Sequence, residues 1–155
     1  MANYPVSWKM DVGVNHVPAY QVSGRPFASG NIDAQAPSGS KVDFPTVTRW
    51  IYIVNHDSNA TCRVGFSQLG VNGAGPALTP GGGAAGTANY WFLVNSASTS
   101  QRLELKVSEI WLSGSENVDV IAGLTSIQPV RVSSGSSANP SDGSYPSWSG
   151  SLGVG

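Results

Sequence analysis

The alternation of apolar and polar residues in the middle of the chain predicts β-strands and almost no helix. Over residues 103–107, Leu103, Leu105 and Val107 alternate with Glu104 and Lys106, which is the period-two pattern of a half-buried strand. Further β-rich runs lie at residues 47–54, 60–66, 90–94 and 118–122, and an extension over 124–132 fits the same pattern. No window keeps apolar residues at helical spacing without an interrupting Gly or Pro.

Two of these runs carry more detail. From Trp50 onward, the run 47–54 is apolar on both faces, which predicts a central strand covered on both sides. After Glu109 the alternation breaks, because residues 110–112 are all apolar and would fall on both faces of a strand. This predicts a bulge or a strand end near residues 108–109. Core packing is the expected role of the strand tryptophans Trp50, Trp91 and Trp111. Short strands joined by Gly, Ser and Asn turns predict an all-β fold, an antiparallel β-sandwich or jelly roll.

Composition divides the chain into a β core and two arms. Gly, Pro and Ser supply 52 of 155 residues, and the length fits one domain. Residues 1–45 contain five prolines, each lacking a ladder donor, and are predicted to form an extended N-terminal arm in which residues 10–20 can hold a short strand. Residues 46–132 are predicted to form the sandwich core, including a long small-residue loop at 70–89. Residues 133–155 are predicted to form a Gly/Ser-rich C-terminal arm.

Charge and cysteine content exclude several classes of protein. Charged residues are 11% of the chain, against about 25% in an average domain, and the formal net charge is -1. Eight scattered cations provide no electrostatic footprint for nucleic acid. No apolar run reaches the roughly 18 residues of a membrane helix, and the start of the chain does not have the pattern of a secretory signal. One cysteine, Cys62, forms neither an internal disulfide nor a multi-thiolate zinc site.

The sequence contains only weak candidate motifs for catalysis, cofactor binding or metal binding. Residues 81–86 match G-x-G-x-x-G, but a dinucleotide site needs a preceding strand and a following helix, whereas Thr79-Pro80 precedes this run and a predicted strand follows it. His16 and His56 have no histidine at i+2 or i+4 and lie in polar or irregular segments. A carboxylate pair of the glycosidase type stays open, because the sequence does not show which of nine acids meet. We expect no catalytic residue, no cofactor and no metal site.

Aromatic residues in the arms are the candidate contacts to a partner. Tyr4 and Trp8 lie in the N-terminal arm, and Tyr145 and Trp148 lie in the C-terminal arm. Large aromatics are rare in pure linkers and are common as interface anchors. Two interpretations stay open at this point, because these side chains can pack on their own sandwich or on a neighbouring subunit.

A charge-poor, Gly/Ser/Pro-rich β core with extended arms resembles the jelly-roll decoration (cement) proteins of tailed bacteriophages. The resemblance covers residues 47–127, most clearly 102–127, and is one of architecture and composition, so no residue roles carry over. It implies a non-enzymatic virion protein on the capsid exterior, made in the host cytoplasm, that bridges major capsid proteins as a homotrimer without binding nucleic acid or membrane. The alternative is a phage tail or fibre module, or a carbohydrate-binding sandwich, that contacts a host surface.

Overall fold

The computed structural model describes residues 24–35, 39–72, 90–129 and 132. Within these residues the chain forms eight strands and one short helix. They are β1 (Arg25–Ile32), β2 (Ser40–Asp43), β3 (Thr48–Asn55), β4 (Cys62–Gly65), α1 (Gln68–Val71), β5 (Trp91–Val94), β6 (Ser98–Thr99), β7 (Glu109–Ser113) and β8 (Val118–Leu124). The expected scarcity of helix is confirmed for this part of the chain.

The strands form two four-stranded antiparallel sheets that pack face to face. The first sheet has the order β1-β8-β3-β6, and the second has the order β2-β7-β4-β5. The first strand therefore pairs with the eighth, the second with the seventh, the third with the sixth and the fourth with the fifth. This pairing is the topology of a jelly roll, so the predicted fold class is confirmed.

The core lies between the two sheets and is built from every second residue of the longer strands. Ile51 and Ile53 of β3 are fully buried, as are Leu112 of β7 and Val64 of β4. Branched aliphatic side chains pack well on a pleated surface, which is why the strands rich in Val and Ile supply most of this layer. The same cluster includes Cys62, which behaves here as a small buried hydrophobe.

The sandwich begins earlier than the sequence indicated. We placed residues 1–45 in an arm, but β1 and β2 lie within that segment and complete the two sheets. Both are edge strands, where a proline such as Pro26 is tolerated because only one side of the strand takes part in a ladder. Proline content therefore did not exclude strands here. Residues 1–23, with the short strand expected at 10–20, and residues 36–38 lie outside the described part of the chain.

The segment 103–107, which has the clearest alternation in the sequence, is not a strand of either sheet. Leu103 forms a single bridge to Ile51. Beyond it one backbone hydrogen bond, from the N–H of Thr48 to the carbonyl oxygen of Val107 at 3.0 Å, is supplemented by the side chain of Thr48. Thr48 Oγ1 donates to the carbonyl oxygen of Leu105 at 2.7 Å and accepts from the backbone N–H of Val107 at 3.2 Å. After Ser108 the chain enters β7 of the second sheet, so the irregularity predicted at 108–109 is the start of a strand and neither a bulge nor a strand end.

Two loops contain short elements that the sequence did not indicate. The segment 95–101, between the predicted strands 90–94 and 103–107, includes the two-residue strand β6, which pairs with the end of β3. The long loop expected at 70–89 overlaps α1, whose N-terminus is capped by Ser67 Oγ accepting from the N–H of Gly70 at 2.9 Å. Residues 73–89 lie outside the described part. Over the described ranges, no helix is long and apolar enough to cross a membrane.

Candidate functional site: an aromatic face on the first sheet

The outward side of the first sheet carries a continuous apolar surface, which we call the aromatic face. In the strand register, Ile121 of β8 lies opposite Tyr52 of β3 on one side and opposite Ala28 of β1 on the other. Residues directly opposite one another in a sheet share a face, and alternate residues along each strand extend it. The face consists of Pro26, Ala28, Trp50, Tyr52 and Ile121. None of these five side chains is charged.

Much of this face is exposed to solvent. Ile121 is 42% exposed although it lies on a central strand, Pro26 and Ala28 are exposed, and Trp50 and Tyr52 are half-buried. The predicted covering of β3 on both sides is therefore correct only for the side that contacts the core. An antiparallel sheet with one solvated face normally places polar residues there. An apolar patch at that position indicates a surface for interaction.

The two aromatic rings of this face pack against each other edge to face. The centroids of Trp50 and Tyr52 are 5.7 Å apart and their planes are inclined at 67°. Such pairs add about 0.5–1.5 kcal/mol beyond the area they bury, so each ring restrains the other. The arrangement presents rigid aromatic surface without presenting two coplanar rings.

One border of the face is formed by arginines paired with a carboxylate. The guanidinium carbon of Arg102 lies 5.3 Å from the ring centroid of Trp50, which is within the range of a cation–π contact. Arg102 Nε also donates to Glu104 Oε1 at 2.7 Å, and Arg49 forms a second ion pair with Glu104. These contacts hold Trp50 from the side and give the face a polar rim.

The opposite border is formed by Asp119 and His56. Asp119 Oδ1 accepts from the backbone N–H of Asn31 at 2.8 Å, and its Oδ2 lies 2.8 Å from His56 Nε2. The hydrogen bond from Asn31 and, after it, the one from His56 hold the pKa of Asp119 below its usual range. His56, which the sequence places in a polar segment without a histidine partner, thus forms part of this rim. Among the described residues, no cluster of three or more His, Cys, Asp or Glu side chains can hold a metal ion.

The Asp119 contacts predict a defined response to acid. A carboxyl group with a lowered folded pKa stabilises the fold above its unfolded pKa, about 3.9, and this stabilisation is lost as the pH falls through the folded pKa. In Asp119→Asn the amide oxygen can still accept from the backbone N–H of Asn31, but the amide group does not titrate. We expect thermal stability to fall less steeply below about pH 4 in this variant than in the wild type. Parallel melting curves from pH 7 to pH 2.5 would contradict this expectation.

The expectation that the strand tryptophans pack in the core is wrong. Trp50, Trp91 and Trp111 are all half-buried on the outer sides of their sheets. Trp111 Nε1 donates to Glu109 Oε1 at 3.2 Å, and Arg63 lies 5.1 Å from the ring centroid of Trp91. Because side chains alternate along a strand, buried neighbours on both sides of a tryptophan force its ring outward. For Trp111, the apolar neighbours in the sequence contained that signal.

The other candidates from the sequence lie elsewhere. The four arm aromatics that we predicted as partner contacts are outside the described residues, and so are His16 and the glycine run 81–86. They are Tyr4, Trp8, Tyr145 and Trp148. Their role therefore stays a prediction. The aromatic face was missed because a run that is apolar on both faces does not reveal which side meets the core.

No protein-family model, curated protein or solved structure matches this chain.

Proposed function

We propose that this chain is a structural virion protein that binds the exterior of a capsid and stabilises it as a decoration subunit bridging major capsid proteins. The observation that carries the proposal is the aromatic face, where Trp50, Tyr52 and Ile121 take positions that are normally polar. The jelly roll is a fold of viral capsid domains, and also of lectins and cupins, so the fold alone does not decide the function.

The arrangement of the face supports binding to a protein surface. Its centre is apolar and aromatic, and its borders carry the Arg102–Glu104 and His56–Asp119 pairs. An apolar centre surrounded by a polar rim is the usual anatomy of a protein interface, and Trp and Tyr dominate binding energy in such centres. On a shell, many identical weak contacts add through multivalency, so a modest face is sufficient. A homotrimer, with the arms as further contacts, fits the same role.

Replacing Trp50 with Ala is expected to weaken binding to empty shells of the capsid that this chain is proposed to decorate. Loss of an aromatic anchor costs about 2 kcal/mol, so we expect the dissociation constant to rise about 30-fold. Binding is measured by co-sedimentation of purified protein with the shells at increasing concentration. Trp111→Ala is the matched control, because Trp111 is also a half-buried strand tryptophan but lies on the outer side of the other sheet.

The two variants separate binding from folding. Both are expected to lose some stability, which melting curves measure, but only Trp50→Ala is expected to lose shell binding. Equal shell affinity of the wild type and Trp50→Ala would contradict a role for the aromatic face, and equal losses in both variants would point to a general loss of fold.

A second candidate function is a carbohydrate-binding or tail-fibre module that contacts a host surface. Exposed aromatic rings on a jelly-roll sheet favour it, since lectins share this fold. The 67° inclination of Trp50 to Tyr52 weighs against it, because only one of the two rings can lie flat against a given sugar. Binding to a glycan array that Trp50→Ala abolishes, without binding to shells, would support this candidate over the first.

A further inference from the structure

The four edge strands of the sandwich differ in how they are protected from pairing with another chain. Natural proteins shield sheet edges with charged residues, proline, bulges or very short strands. β1 carries Arg25 and Pro26 and has a register irregularity between Ser29 and Ile32. β2 carries Lys41 and Asp43, which form an ion pair at 2.8 Å. β6 is only two residues long.

β5 has none of these protections. Its sequence is Trp-Phe-Leu-Val, it pairs regularly with β4, and it has no neighbour on its other side among the described strands. At the end of this strand, Asn55 Nδ2 donates to the carbonyl oxygen of Val94, so this oxygen already has a partner within the chain. Among the described residues, no strand lies beside Trp91 to Leu93 on this side. Leu93 is 49% exposed, the largest exposed fraction among the large hydrophobic side chains of the described residues.

A cleft lies beside this edge, where the two sheets separate. Its volume is about 310 Å³, and β5 forms one wall while the segment 98–101 forms the other. Phe92 and Leu103 supply apolar surface, whereas Asn95, Ser98 and Gln101 supply amide and hydroxyl groups. No charged side chain lines it. An extended, uncharged peptide matches this cleft, because its backbone can continue the β4–β5 ladder while alternate side chains enter the gap.

We propose that β5 accepts residues 151–155 of a second copy of this chain as an added strand. This segment reads Ser-Leu-Gly-Val-Gly, so Leu152 and Val154 alternate with glycine and fall on one face of a strand. That face would meet Phe92 and Leu103, while Gly153 would lie beside Leu93 on the outer face. The segment has no charged side chain, which matches the uncharged cleft.

Chain length and symmetry are compatible with this exchange. Residues 133–150 provide 18 residues between the last described position, Val132, and the donated strand, with a maximum reach of about 60 Å. Each copy donates one strand and accepts one, which is a head-to-tail contact; such contacts close into a ring when the rotation between neighbouring copies allows it. The inference uses the proposed function only for its expectation of several copies, since the aromatic face lies on the other sheet.

Cysteine cross-linking in the full chain tests the pairing. We expect a mixture of Leu93→Cys and Gly153→Cys to form a disulfide-linked heterodimer under oxidised glutathione, because residues opposite each other in paired strands lie at disulfide distance. The native Cys62 is not expected to form disulfides in this experiment, since it is fully buried and burial raises its pKa to about 11. Ile121→Cys mixed with Gly153→Cys is the matched control. Ile121 has similar exposure, but its strand is paired on both sides.

The outcomes show which strand accepts the added segment and whether that segment comes from a second molecule. A heterodimer with Leu93→Cys and none with Ile121→Cys supports the proposal. Equal cross-linking with both acceptors or homodimers of Leu93→Cys alone would each overturn it. In a variant that carries both Leu93→Cys and Gly153→Cys, a bond formed only within one chain would overturn it as well. Shell binding is not a readout in this experiment, so failure of the proposed function would leave the result unaffected.

Discussion

Replacing Asn55 with Asp is expected to destabilise the folded protein by about 3–5 kcal/mol near neutral pH. Asn55 is 1% exposed, and its amide nitrogen donates to the carbonyl oxygens of Ala60 at 2.8 Å, Asn95 at 3.2 Å and Val94 at 3.3 Å. A carboxylate at this position removes both donor hydrogens and places a buried negative charge against three acceptors. Leaving a buried charge without compensation costs about this much.

The oxygen atom of the same amide connects further segments, so we expect the substitution to weaken more than one turn of the fold. Asn55 Oδ1 accepts from Ser115 Oγ at 2.7 Å and from the backbone N–H of Asp57 at 3.1 Å. The side chain therefore joins the turn after β3, the end of β5 and the turn between β7 and β8. The turn after β3 also carries His56, which forms the rim of the aromatic face, so this network positions part of the candidate site.

Urea denaturation at pH 7 and at pH 4.5 checks the Asn55→Asp prediction. The loss of unfolding free energy should be smaller at the lower pH, because protonation removes the charge and restores one donor. Asn59→Asp is the control, since Asn59 is an exposed residue of the same turn and should change stability by less than about 0.5 kcal/mol. Equal losses in the two variants would show that the buried network is not the cause.

The positions of most strands follow from local pattern, because side-chain alternation and β-branched residues are properties of a few neighbouring residues. β3, β4, β5 and β8 lie where the sequence placed them, and the break before β7 was visible as a phase shift. Strand assignment failed where a distant contact decides the outcome. The segment 103–107 has the alternation of a strand, but after the bridge at Leu103 its contacts with Thr48 are one backbone hydrogen bond and those of the Thr48 hydroxyl, which do not make a regular ladder.

The candidate site was less predictable than the fold. Whether Trp50 or Ile51 faces the core depends on which face of β3 meets the second sheet, and a run that is apolar on both faces does not encode this. The open edge of β5 depends on the order of strands in the sheet, which no local pattern contains. The start of the sandwich at Arg25 was missed for a related reason, because proline is compatible with an edge strand and β1 becomes an edge only in the assembled fold.

A matched pair of isoleucines separates stability from function most directly. Ile51 and Ile121 lie on adjacent paired strands, but Ile51 is fully buried in the core and Ile121 is 42% exposed on the aromatic face. Ile51→Ala is expected to cost about 3 kcal/mol and to lower the melting temperature by roughly 10 °C, because it removes buried methyl groups and leaves a cavity. Ile121→Ala is expected to change stability by less than about 0.5 kcal/mol.

Shell binding should show the opposite order. Folded Ile51→Ala, assayed well below its melting temperature, should bind the shells described above as the wild type does, because its aromatic face is unchanged. Ile121→Ala should bind more weakly although its fold is intact, since it removes apolar contact area from the centre of the face. If Ile121→Ala instead melts like Ile51→Ala, its side chain belongs to the core of the chain itself, and the aromatic face is not a surface left open for a partner.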